Sequence, residues 1–169
     1  MHQPELQRCL ETHHKDSFGW ALACCHRDYD DAEEVLQIAY LKIVEGKAVF
    51  DGRSSFKTWL FAVIRRTALE RFRWKHARRK FTALFGIEQP PPADERIERS
   101  ETAAALVRAL SMLSTRQREV LELVFYHDLT IEDAARTLGI SVGSARVHYD
   151  RGKKRLLQRM NEEGRVAFA

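Results

Sequence analysis

Apolar residues recur along this chain at helical spacing. Ala32, Val35, Leu36, Ala39 and Ile43 fall at i, i+3, i+4, i+7 and i+11, one stripe of a helix. Phe61, Ile64, Ala68 and Phe72 form a second stripe, with Leu60 and Val63 alongside. Asp51-Gly52 signals a turn before it, and Ser54 or Ser55 is placed to cap the helix. Further on, residues 101–112 read as helix with Leu106, Leu110 and Leu113 on one side. Ser114-Thr115-Arg116-Gln117 has capping-box spacing and opens a helix carrying Val120, Leu121 and Val124. Thr130 to Asp133 resembles another N-terminal cap, ahead of Ala134, Ala135 and Leu138. Gly139 breaks that pattern, and Ser141 is placed to cap a last helix with Val142, Ala145, Tyr149, Gly152 and Leu156 inward. No segment alternates with period two over a convincing length, so the pattern predicts an all-α protein.

The clearest interruption is Glu88 to Glu95, which contains Pro90, Pro91 and Pro92. Consecutive prolines lack backbone donors and favour extended chain. The expected organisation is therefore two small helical domains, 1–81 and 100–169, joined by a Pro-rich linker at 82–99.

Composition narrows the class. Of 169 residues, 44% are hydrophobic and 31% charged, as in a globular chain. No apolar run approaches the ~18 residues of a membrane span. Met1 to Glu5 lacks the basic-then-apolar pattern of a secretory leader, so a cytoplasmic protein is expected. Three cysteines, two of them adjacent, make a poor disulfide framework. The net charge of +4 is modest, but its distribution is not. Residues 64–80 carry eight bases against Glu70 alone, and residues 142–160 carry six against Asp150 alone. Two basic segments suggest two contacts with a polyanion, although each also suits a solvated helix face.

The strongest motif runs from Thr130 to Met160. A helix-turn-helix needs a small residue at the helix crossing, a turn residue that tolerates left-handed backbone, and an apolar anchor on the second helix. Ala135, Gly139 and Ala145 supply these, with Ile131, Leu138 and Ile140 available to fill the core. The second helix then turns Arg146, Val147, Asp150, Arg151 and Lys154 outward. Such a surface suits a major groove, where arginine binds guanine bidentately. Asp150 is placed to accept from cytosine or to position Arg146 or Arg151.

Leu110 to Met160 resembles region 4 of the sigma-70 family, which recognises the −35 promoter element. The resemblance is carried by Leu113 to Leu121, Thr130 to Ala135, and Leu138 to Arg146. It implies that Arg146, Val147, His148, Asp150 and Arg151 contact bases and phosphates, with Val147-His148 where the family usually has Ser-Arg. Asp31 to Gln37 is similar to the region 2 helix that grips the clamp of the polymerase's largest subunit. Asp31, Glu34, Gln37 and Leu41 would form its ridge, with Ile38 where an acidic residue usually follows. Phe50 to Leu60 resembles the entry to the promoter-melting helix of the extracytoplasmic-function (ECF) group. Phe56, Trp59 and Phe61 lie near its start, where ring faces would meet unpaired −10 bases, with Phe56 and Trp59 as the candidates, and Arg65, Arg66 and Arg73 would meet the phosphates, as stacking and charge require. Arg66 stands where the family often has asparagine, and Glu70 where it has aspartate. An aromatic at helical spacing is also ordinary core, Trp59 especially. The resemblance covers about residues 30–76 and 110–160. It implies core RNA polymerase, promoter DNA and an anti-sigma factor as partners, with no cofactor, metal or catalytic residue.

Three other classes fit the sequence less well. A stand-alone helix-turn-helix regulator has no evident need for the clamp-like helix or the arginine-rich segment after Trp59. A metal- or redox-responsive regulator would use Cys9, His13, His14, Cys24, Cys25 and His26, of which Cys9 and His13 lie one turn apart, but no CxxC is present. Phosphate loops, nucleophile motifs and HExxH are absent from the sequence, which argues against an enzyme.

Overall fold

The computed structural model describes residues 3–84 and 108–166. The proline-rich segment, Leu106 and the start of the helix expected at 101–112 lie outside the described residues. Helices α1 (Gln3–Thr12), α2 (His14–Cys24), α3 (Tyr29–Val44) and α4 (Phe56–Leu84) build the first half. A helical turn at 108–111 leads into α5 (Thr115–Leu121), which continues as a π-helical turn, Glu122–Tyr126. Helices α6 (Ile131–Leu138) and α7 (Val142–Val166) complete the second half. Among the described residues there is no strand.

Local chemistry fixes the helix starts. Asp28 caps α3 by accepting from the Asp31 N–H. Ser55, not Ser54, caps α4 by accepting from the Thr58 N–H at 3.1 Å. Ser114 and Gln117 form the reciprocal capping box of α5. Thr130 accepts from the Asp133 N–H at the start of α6, and Ser141 from the Ser144 N–H at the start of α7. Between them Gly139 adopts φ 65°, the left-handed conformation that a β-carbon disfavours.

The α3 stripe from Ala32 to Ile43 is buried, packing with Leu60, Phe61, Ile64 and Ala68 of α4 and Trp20 and Ala21 of α2. In the second half Val120, Leu121, Ala134, Ala135, Leu138 and Ala145 are buried. Gly152 lets α7 lie close on α5: a β-carbon there would sit 3.2 Å from both Gln117 Cβ and Leu121 Cδ1. Val142 departs from the expected inward stripe. It is exposed, because it opens α7 beyond the reach of the packed helices.

The two halves share one core. Helix α4 packs against α6, and Val120, Leu123, Leu129, Ala134 and Leu138 join the cluster containing Trp20 and Phe61. Trp20 stacks on Phe61 at 5.8 Å and donates its indole N–H to the Phe61 carbonyl at 3.0 Å. The His127 ring enters this box edge-on, 4.9 Å from Phe61 and 5.9 Å from Trp20.

Candidate nucleic-acid interface

The outward face of α7 has the composition that groove contact requires. Arg146, Val147, Asp150, Arg151 and Lys154 are all exposed, whereas His148 is half-buried. Ala145 and Gly152 face inward and turn this stripe out. Arg146 is held by Glu132 of α6, Nη2 to Oε1 at 2.9 Å. The Glu132 carboxyl is kept below its usual range first by its own backbone N–H and then by Arg146. Glu132, and not Asp150, is therefore the acid that positions Arg146. Behind the stripe Tyr149 stacks on Phe125 at 5.7 Å.

A second set gathers at the start of α4. Phe50, Phe56 and Trp59 form a half-buried aromatic cluster with centroids 5.3 to 5.5 Å apart. His13 stacks on Phe56 from the other side at 5.9 Å. Phe56 and Trp59 are thus packed together yet keep part of their surface in solvent. Arg66 and Arg73 are exposed along the same helix.

Arg65 differs from its expected placement on the polar side of α4. It is buried and binds Glu119 of α5 with two hydrogen bonds, 2.9 Å from Nε and 3.3 Å from Nη2. The cause is angular: Arg65 follows Ile64 around the helix onto the face that meets the second half. In this arrangement no DNA phosphate reaches it.

The ridge expected on α3 divides in the same way. Glu34, Gln37 and Leu41 are exposed, and Val44 extends them by one turn. Asp31 is buried beneath the ridge, where its carboxylate receives Arg71 and Lys75 of α4. Arg71 also pairs with Glu34. Part of the positive charge of residues 64–80 is thus neutralised within the protein.

The cysteine and histidine cluster does not converge. Among the described residues no group of three or more His, Cys, Asp or Glu side chains is arranged to hold a metal ion. His14 lies against Tyr40, and burial pushes the Cys25 thiol up to about 12.

Residues at the joint between the halves escaped the sequence reading. Arg27 reaches Glu122 at 2.8 Å. Lys57 binds Asp16 at 2.7 Å and donates to the His127 carbonyl at 2.9 Å. Thr137 donates to the Thr58 carbonyl at 3.4 Å. The available signal was Glu119 and Glu122, one acid opening and one interrupting the apolar run Val120 to Val124.

Fold and surface together define a helical DNA-binding protein of two halves, each presenting cationic side chains, with a helix-turn-helix in the second. The family patterns described as Sigma-70 region 2 and Sigma-70, region 4 match residues 9–79 and 103–156, in that order. The ECF RNA polymerase sigma factor SigF of Caulobacter vibrioides is 31% identical over 132 residues, 77% of this chain and 71% of the relative. SigX of Bacillus subtilis, another ECF sigma factor, is 27% identical over 92% of this chain and 83% of its own. Among solved structures, the sigma factor RpoE of Bartonella quintana, in complex with the anti-sigma factor NepR, superposes with a TM-score of 0.74 at 23% identity. That match covers 93% of this chain and 97% of RpoE. CnrH, in complex with the cytosolic domain of CnrY, gives 0.66 at 19% identity, covering 95% of this chain and 90% of CnrH. The chain belongs to the sigma-70 family, in its ECF group, and is a promoter-recognition factor for transcription initiation. No helix among the described residues is long and apolar enough to cross a membrane.

Proposed function

We propose a division of labour in which residues 1–81 engage core polymerase and the −10 element, 82–99 bridge, and 100–169 engage the −35 element. The clamp of the polymerase's largest subunit docks on Glu34, Gln37 and Leu41. Asp31 supports that ridge from below by fixing Arg71 and Lys75. Phe56 and Trp59 offer ring surface to unpaired −10 bases, while Arg66 and Arg73 take backbone phosphates. Arg65 joins them only when Glu119 leaves it. Helix α7 enters the −35 major groove with Arg146, Val147, Asp150 and Arg151 toward base edges and His148 and Lys154 toward the backbone. The chemistry of transcription belongs to the polymerase, so this chain acts in the cytoplasm as a specificity subunit and not as an enzyme.

The observation that carries this reading is the exposed stripe of α7, with Arg146 braced by Glu132. An anti-sigma factor is the further expected partner, since RpoE was solved in complex with the anti-sigma factor NepR. Binding of purified host core polymerase tests the clamp assignment. Leu41→Asp should weaken the complex at least tenfold while leaving the helical content of the protein unchanged. Full binding by that variant would reject the α3 ridge as the docking surface.

A further inference from the structure

We infer that Val147 and Gly143 form a notch on α7 that takes the 5-methyl group of a thymine, so that one position of the −35 element is read by apolar contact and not by charge. The inference deepens the promoter reading above and rests on it. Val147 lies in the second turn of α7, within the N-terminal part that meets base edges in a recognition helix. It is 44% exposed and stands in polar surroundings. Arg146 precedes it, and Asp150 and Arg151 follow one turn on, all three exposed. Among the described residues from 143 to 156, Val147 is the one exposed apolar side chain. Valine is also a weaker helix former than lysine or arginine. At this position it stabilises neither the core nor the helix, which points to a contact outside the chain.

The neighbouring residues shape that contact. Side chains on a helix lean toward its N-terminus, so Val147 overlies the turn that holds Gly143 and Ser144. Gly143 leaves that turn open: a β-carbon there would meet no side chain closer than Ser141 Oγ, at 3.9 Å. The Ser144 hydroxyl is engaged by the Ser141 hydroxyl at 2.9 Å. What remains is a small apolar step beside the Arg146 guanidinium, which Glu132 holds in place at 2.9 Å. A β-branched side chain in a helix strongly prefers one χ1 rotamer, so the valine methyls are preorganised.

The chemistry of the groove selects the occupant. Of the four bases, thymine alone carries a methyl group on its major-groove edge. Val147 has no polar side-chain atom, so pressing it against a cytosine amino group or a guanine oxygen would leave that group without a partner. A methyl group is the groove feature that it complements.

Holoenzyme assembled from the full chain and the host's core polymerase tests this on a promoter that depends on the chain. Each thymine of the −35 element, on either strand, is replaced in turn by deoxyuridine, which removes the methyl group and nothing else. Competition binding reads the effect. One replacement should weaken wild-type binding by about fourfold, the loss expected for one buried methyl group. Val147→Ser should bind the thymine and uracil duplexes equally, with helical content retained because the side chain is exposed. Val147→Ile, which keeps the apolar surface, should retain the preference. If no replacement weakens wild-type binding although scrambling the −35 element does, the notch is overturned and the promoter reading stands. If Val147→Ser keeps the wild-type preference, another residue meets the methyl group and the assignment to Val147 is overturned. If scrambling also has no effect, −35 recognition itself fails, and the notch with it.

Discussion

His127 makes the joint sensitive to acid, and the effect can be worked from its surroundings. Its ring is 1% exposed, and neither ring nitrogen has a hydrogen-bond partner among the described residues. Burial is the main cause that lowers its pKa from 6.5 to about 4; Lys57 and Arg27 push the same way, against Asp16 and Asp128. The native state therefore holds the ring neutral, while the unfolded chain takes up a proton below about pH 6.5. Stability is fully present above that value and is lost as pH falls toward the folded value of about 4. A difference of this size corresponds to about 3 kcal/mol in full, of which about 2 kcal/mol is lost between about pH 7 and pH 5. Urea unfolding of wild type and His127→Phe at both pH values isolates the effect. His13, whose pKa burial also lowers, is present in both proteins and cancels in the difference. Phenylalanine keeps the edge-on packing and removes two unpartnered nitrogens. The variant should be at least ~1 kcal/mol more stable at neutral pH and should lose about 2 kcal/mol less on acidification. Equal losses in the two proteins would refute the assignment of the proton to His127.

Three other outcomes are expected. Arg146→Ala should cost on the order of 1–3 kcal/mol of −35 discrimination, measured by competition between consensus and mutated duplexes, and Glu132→Gln should lose a smaller part by releasing the same guanidinium. Trp59→Ala should impair open-complex formation, read by permanganate reactivity of the −10 strand, while polymerase binding and thermal unfolding stay near wild type. Gly139→Ala should lower stability by about 1 kcal/mol or more in thermal melts, since φ 65° is strained for alanine.

The helices were legible in the sequence where their signals are local. Capping at Ser55, Ser114, Thr130 and Ser141, the stripe from Ala32 to Ile43, and the left-handed Gly139 each depend on neighbours within one or two turns. The outward stripe of α7 was legible for the same reason, because Ala145 and Gly152 fix its rotation. What periodicity does not carry is the packing of one half on the other. Arg65 reads as a solvated base until Glu119, 54 positions away, is brought against it. Asp31 has the spacing of a ridge residue, yet Arg71 and Lys75 draw it beneath the surface. Glu132 was missed as the brace of Arg146 because the pair forms across the helix-turn-helix and not along one helix. Long-range ion pairs of this kind leave only a weak trace in sequence, namely a charged residue set in an apolar run.

The most direct test of promoter recognition is transcript-start mapping with the purified protein, the host's core polymerase and fragments of the host genome. Defined starts that depend on this protein, with shared elements near −10 and −35, are the predicted result. Folded protein that binds the polymerase but yields no dependent start would contradict it.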